Sequence, residues 1–246
     1  MTIARLDGSW QRFGRTVIAG SPLRLFRVSA AGADVLDELE AGLDVPASSL
    51  LDRLLDAGAV HPVVDVARPS SSTAERVTVV TPQLRSAPSD RSVDDGRITV
   101  DDGSIPPLAG AALRLATTQG PAAARNAGRA LVDTELVAFV DADVVVTDGW
   151  LDALLTHFDD PRVGLVAPRV TGEPGSPLDL GDEPARIRAG TRVSYVPGAA
   201  LVVRAAAFDA VGGFDPTLRF GEDVDFVWRL DEAGWRCRYE PAATVW

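Results

Sequence analysis

The residues best suited to chemistry are acids that arrive in pairs where apolar runs end. Residues 137–140, VAFV, read as a short strand buried on both faces, and that run stops at Asp141-Ala142-Asp143. Side chains two apart on an extended backbone point to one side, so both carboxylates face the same place at the edge of a sheet. Crowded carboxylates repel unless a cation or basic groups compensate, and a hard divalent ion is an economical partner. A polar turn that merely ends a strand is the structural alternative, and the triplet alone does not separate the two. Three further clusters stand out: Asp101-Asp102-Gly103-Ser104, the stretch GPAAARNAG at 120–128, and Gly221-Glu222-Asp223 ahead of a helical pattern. Each has a plain reading as well. Asp-Asp-Gly makes ordinary turns, small residues open helices for close packing, and acids at a helix start are stabilised by the backbone dipole.

The elements that must position these acids alternate between strand and helix from residue 77 onward. Strands are expected at 77–80 (ending in Thr81-Pro82), 98–100, 113–116, 137–140, 163–167, 193–196 and 200–203, the last two flanking Pro197-Gly198. Helices are expected from 118 to about 131 with Pro121 in the first turn, over 150–158, over 205–211, and from 222 to a stop at Gly234. This order argues for an α/β domain with a mostly parallel sheet, whose sites lie beyond the carboxyl ends of the strands. The Gly/Pro-rich acidic stretch 171–190 is long enough to be a mobile segment over a site. Residues 83–97 are charged and small, and no packed helix can be made from them.

Ahead of that domain, 16–18 and 23–28 look like strands around Gly20-Ser21-Pro22. Ser29 offers an N-cap, and Ala33, Leu36 and Leu39, then Leu50, Leu51, Leu54 and Leu55, recur at helical spacing before a last short strand near His61. Residues 67–75, rich in Pro, Ser and Ala, read as a linker. The expected division is therefore a small module at 1–66, the linker at 67–75, and an α/β domain at 76–246.

Composition narrows the function classes. A chain of 246 residues with 46% hydrophobic content can bury a substantial core. The formal charge is -11 and every Lys/Arg position is arginine, so a general nucleic-acid or anionic-membrane binder, which needs a net basic face, is not expected. One cysteine, Cys237, rules out an intrachain disulfide, and with His61 and His157 as the two histidines there is no Cys/His zinc cluster. No apolar run approaches the roughly 18 residues of a spanning helix, and the first residues do not read as a secretory leader. A cytoplasmic setting without a transmembrane segment is the expectation.

In an open α/β sheet the four clusters converge on one crevice, and in that combination the chain resembles the inverting enzymes of glycosyltransferase family 2, from residue 77 onward. The resemblance implies a GT-A fold, the Rossmann-like nucleotide-diphospho-sugar transferase architecture. It implies that Thr81 and Pro82 seat the nucleobase and that Asp101 or Asp102 accepts from the uracil ring N–H. Arg125 and Asn126 resemble the pair lining the nucleotide pocket. Asp141 and Asp143 match the family's Asp-x-Asp, Asp141 toward ribose and metal and Asp143 directly on a divalent cation, Mg²⁺ or Mn²⁺. Asp223, beside Glu222, resembles the general base, with Asp225 a competing candidate. The implied reaction moves a hexose, glucose favoured, from a UDP-sugar to an acceptor hydroxyl on a small or peptide-derived molecule. Residues 1–66 resemble winged-helix-like modules that bind peptide precursors, which is what points to a peptide-derived acceptor; a structural appendage is the alternative. The sequence departs from the family pattern twice. Residues 83–97 replace a loop and helix, and family members commonly continue past a stretch like 242–246 with a histidine that completes the metal site. The domain is thus expected to be C-terminally incomplete, and the alternative is a catalytically degenerate homologue acting as a nucleotide- or peptide-binding module.

Overall fold

The computed structural model of the chain describes residues 3–63, 73–84 and 96–246. In chain order the first part holds β1 (Ala4–Leu6), β2 (Gln11–Phe13), β3 (Thr16–Ala19), β4 (Arg24–Arg27), α1 (Ala30–Glu40), α2 (Ser49–Asp56) and β5 (Val60–Pro62). β2, β3 and β4 form an antiparallel meander, and β1 pairs with β5. Both helices start at a serine whose hydroxyl accepts a backbone N–H: Ser29 from Gly32 at 3.1 Å and Ser48 from Leu51 at 3.2 Å. Val17, Phe26, Leu36, Leu39, Leu51, Leu54 and Val60 enclose a core of their own. These are the elements of the small helix-and-strand module anticipated at this end. Residues 67–72 of the expected linker lie outside the described residues, and 73–75 belong instead to a short helix, α3 (Thr73–Arg76).

The rest is built on β6 (Val77–Gln83), β7 (Ile98–Asp101), β8 (Leu113–Arg114), α4 (Pro121–Arg129), β9 (Leu136–Val140), α5 (Trp150–Leu155), a 3₁₀ turn (Thr156–Asp159), β10 (Val163–Val170), β11 (Ala185–Arg186), β12 (Ala200–Arg204), α6 (Ala205–Ala210), α7 (Glu222–Glu232) and β13 (Arg236–Val245). One sheet runs in the order β11-β13-β10-β12-β9-β6-β7-β8. β9 is fully buried because its alternate residues feed separate cores. Val137 and Phe139 pack on the side of α4, α6 and α7, whereas Leu136, Ala138 and Val140 pack on the side of α5. The apolar run expected to be buried on both faces is so.

The sheet is mostly parallel, as expected, with two strands reversed: β12 is antiparallel to both β9 and β10, and β11 is antiparallel to β13. Two other expectations need correction. Residues 193–196 are not a strand; Val193 makes one isolated bridge, to Ile187. The stretch 171–190 is partly built into the sheet, since Ala185, Arg186 and Ile187 are buried and the first two form β11. β13 was not foreseen because its arginines disguise a strand. Of the polar stretch 83–97, Gln83 ends β6 and 85–95 lies outside the described residues.

The reversal of β12 matters for everything that follows. In register, Ala200 faces Val140, and the Asp141 N–H donates to the Ala199 carbonyl at 2.9 Å. The lead-in to β12, Pro197-Gly198-Ala199, is thereby brought to the carboxyl end of β9. Close packing fixes α4 across β6 and β7: a Cβ added at Gly128 would lie 2.3 Å from Val80 Cγ1 and 3.1 Å from Val100 Cγ2. Gly128→Ala should therefore overpack this contact and lower stability by about 1–3 kcal/mol, read from the shift in urea midpoint.

Candidate active site

Arg125 is the centre of the site. It lies on α4, whose first turn begins at Gly120 and Pro121, and its side chain is 2% exposed. One Nη donates to Asp141 Oδ1 at 2.7 Å and to the Gly198 carbonyl at 3.2 Å; the other donates to Glu222 Oε1 at 3.0 Å. The guanidinium lies 5.3 Å from the centre of the Phe214 ring. Phe214 in turn stands in an aromatic group with Phe139, Phe208 and Phe226. One planar cation thus joins the end of β9, the approach to β12 and the start of α7. Position 198 is tight: a Cβ there would fall 3.2 Å from Arg125 Nη2 and 3.3 Å from Asp223 Cβ, pressing on both.

The acids differ in what they do. Asp141 and Asp143 line a cavity of about 420 Å³, with Pro82, Asp102, Thr118 and Gly120 on the other walls. Burial raises the Asp141 pKa, with Asp143 and Glu222 adding to the rise and Arg125 opposing it. Asp102 is buried and holds the turn before α4, accepting from the Gln119 and Gly120 N–H groups at 2.7 and 2.9 Å. Asp101 is fully buried and accepts from Ser104 N–H, Leu108 N–H and Arg114. Burial pulls its pKa up, but those hydrogen bonds and the Arg114 charge outweigh it and hold the carboxyl below the usual aspartate range. Of the two aspartates left open for the base pocket, Asp102 is the one on the cavity wall. Asp223 accepts from Gly198 N–H and from Val224 N–H, each at 2.8 Å, so the carboxylate is fixed where α7 begins. Asp225 pairs with Arg229 one turn along and does not compete for that position.

Three sequence-named residues stand off the cavity wall, Arg125 among them although it reaches Asp141. Asn126 does not line the cavity: its amide donates to the Phe214 carbonyl at 2.8 Å and accepts from the Phe214 N–H at 3.0 Å. Adjacent helix positions do not face the same way, so Arg125 reaches the acids and Asn126 clamps the loop. Thr81 is buried behind Pro82 on β6, its hydroxyl without a partner among the described residues. What the sequence reading missed is the backbone of Gly198 and the ring of Phe214. The signals were present in the sequence as Pro197-Gly198 and Gly212-Gly213-Phe214.

Asp141 and Asp143 suit a hard cation. Among the described residues no group of three or more metal-ligating side chains assembles. A hard divalent ion at these two carboxylates would have to take its other ligands from phosphate oxygens and water, as Mg²⁺ commonly does.

Residues 98–190 match the family model described as Glycosyl transferase family 2. Over that stretch the chain is similar to glycosyltransferase family 2. The chain is 43% identical over 261 aligned residues, 94% of its length, to the pre-mycofactocin glycosyltransferase of Mycobacterium tuberculosis CDC 1551, covering 54% of that protein. It spans about half the length of the curated relatives it matches. In structure it is similar to a Pyrobaculum calidifontis mannosyltransferase in complex with GDP-Man and Mn²⁺ (TM-score 0.54, 19% identity, 87% of this chain and 64% of the other). It is also similar to S. aureus TarS in complex with UDP-GlcNAc (TM-score 0.52, 19% identity, 67% and 55%). These likenesses establish the GT-A fold. Among the described residues no helix is long and apolar enough to cross a membrane.

Arg125→Met would leave Asp141 and Glu222 without their shared counter-charge. With the Asp141 side chain still 33% exposed, the loss should fall at the low end for a broken buried pair, about 3 kcal/mol by urea denaturation. For Asp141 itself the folded-state pKa is raised, so its contribution to stability is full below the ordinary aspartate range and is lost as pH rises through the raised value. Relative to Asp141→Asn, the metal-free wild type should lose stability across that interval, read from urea midpoints.

Proposed function

We propose that this chain carries the donor site and catalytic acids of a metal-dependent inverting glycosyltransferase, moving a hexose from a UDP-sugar to an acceptor hydroxyl on a peptide-derived molecule related to pre-mycofactocin. The observation that carries this reading is the tie from Asp141, on the cavity wall with Asp143, through Arg125 to Glu222 beside Asp223. Arg125 ties Asp141 to Glu222, and the Gly198 backbone, bound to Arg125 through its carbonyl, holds Asp223 through its N–H. The identity to the pre-mycofactocin enzyme supports the acceptor class, and the nucleotide-sugar complexes named above support the donor class.

In this reading Pro82 and Asp102 receive the nucleobase side of the donor, with Thr81 behind them. Asp141 and Asp143 hold a divalent cation, Mg²⁺ or Mn²⁺, which when bound offsets charge on the departing diphosphate. Arg125 opposes the burial that raises the Asp141 pKa and aims the carboxylate at the cavity. Asp223, its carboxylate fixed by Gly198 and Val224, takes the proton from the acceptor hydroxyl as that oxygen attacks the anomeric carbon opposite the diphosphate. One displacement inverts the centre. Residues 1–66, followed by a linker and a transferase domain at 76–246, are proposed to present the peptide part of the acceptor.

Calorimetric titration of UDP should give binding that requires Mn²⁺ and is lost in Asp143→Ala. Transfer from UDP-glucose should fall by at least about a hundredfold in Asp223→Asn while UDP binding persists. UDP binding without turnover in the wild type would support the degenerate, binding-only alternative.

A further inference from the structure

The acidic start of α7 is followed directly by apolar surface. Val224, next to Asp223, and Trp228 are one turn apart on the same face of the helix, Val224 half-buried and Trp228 40% exposed. Residues 186–198 run alongside that face in the opposite direction. Arg186 and Arg188 pair with Asp231, the Ser194 carbonyl accepts from the Trp228 indole N–H at 2.7 Å, and the Gly198 N–H donates to Asp223 at 2.8 Å. Tyr195 follows Ser194 on this stretch and is 42% exposed, whereas Val193 and Val196 go into the core.

Trp228 uses its one polar atom inside this seam. What it offers outward is ring, and a ring in water gains most from an apolar or aromatic neighbour. The seam is pinned along its length, since Ser194 Oγ donates to the Thr191 carbonyl at 2.8 Å in addition to the contacts above. Its far end meets the N-terminal elements. The Arg192 N–H donates to Ser21 Oγ at 2.6 Å, and Ser21, Leu23 and Arg192 line a cavity of about 440 Å³ there. The two acids of that cavity, Asp7 and Glu183, are already paired with His61 and Arg5.

We propose that Tyr195, Val224 and Trp228 form a platform that seats an aromatic side chain of an extended peptide acceptor, whose chain continues toward the N-terminal elements. This rests on the reading of Asp223 as the base that meets the acceptor hydroxyl. Asp223 and Trp228 are five positions apart on α7, about 7.5 Å along its axis. On an extended peptide, side chains two residues apart share a side at a spacing of about 6.8 Å. The aromatic side chain therefore belongs two residues from the one that carries the hydroxyl. A peptide is favoured over a sugar because the seam does not end at Trp228: residues 192–198 lead on to the contact at Ser21, over at most about 24 Å. A chain of about seven residues covers that reach, and one hexose does not.

The test is fluorine NMR of the whole chain labelled with 5-fluorotryptophan, with the Trp228 resonance assigned by its loss in Trp228→Phe. N-acetyl-Phe-Gly-Ser-amide, titrated into the millimolar range, should move that resonance saturably. Replacing the peptide's Phe by Ala should weaken binding about tenfold, and Tyr195→Ser, at an exposed position, should weaken binding of the Phe peptide about fivefold. No response to the Phe peptide, an equal response to its Ala analogue, or unchanged affinity in Tyr195→Ser would overturn the proposal. So would a Trp228 response to glucose in place of the peptide, which assigns the platform to a sugar. Calorimetric titration of UDP with Mn²⁺ is read alongside. Peptide binding at Trp228 without UDP binding keeps the platform and sinks the transferase reading, whereas UDP binding with a silent Trp228 keeps that reading and sinks the platform.

Discussion

A single buried cation sets the geometry of the acid-lined end of the sheet. Arg125 comes from a helix, and the groups it binds come from the end of β9, the turn before β12 and the first turn of α7. A guanidinium out of water needs charge on more than one side, and carboxylates brought together need a cation between them. Each therefore compensates the other's burial, and the aromatic group under Arg125 fixes the plane in which this happens. An ammonium could not serve in its place, because it lacks the planar fork that reaches Asp141 and Glu222 in opposite directions.

That arrangement is available because β12 runs against its neighbours. Had β12 been parallel to β9, its lead-in would have started at the other end of the sheet. Running in reverse, it delivers Gly198 beside the last residues of β9, where its carbonyl accepts from Arg125 and its N–H donates to Asp223. The backbone of one glycine is the common element between the donor acids and the proposed base.

Much of this was legible in the sequence where residues act locally. The run 137–140 declared a strand buried on both faces, and Asp141 and Asp143 were correctly seen as its carboxyl-end pair. Ser29, Pro121 and Gly234 marked helix ends by their own chemistry. What remained hidden depends on partners far along the chain. β13 reads as polar because Arg236 is answered by Asp56, separated by 180 residues. β11 reads as loop because the burial of Arg186 rests on Asp231. Arg125 and Asn126 look like a functional pair by adjacency alone; the helical twist sends them to different tasks. Asp101 and Asp102 likewise could not be ranked from spacing, since the difference lies in which backbone amides each one accepts.

The two faces of β13 have a consequence for how such a chain can be inherited. One face packs into the core of the large sheet, and on the other Arg236 is paired with Asp52 and Asp56 of α2. Separation of the parts would strand Arg236 in a seam opened to water, with its remaining acid, Asp160, shared with Arg162 and Arg238. Recombination that exchanged the module for an unrelated one would have to supply matching acids at the same two helical positions. The N-terminal elements and the large sheet are therefore under pressure to travel as a pair, and a sheet that lost them should carry apolar residues or its own acids along that strand.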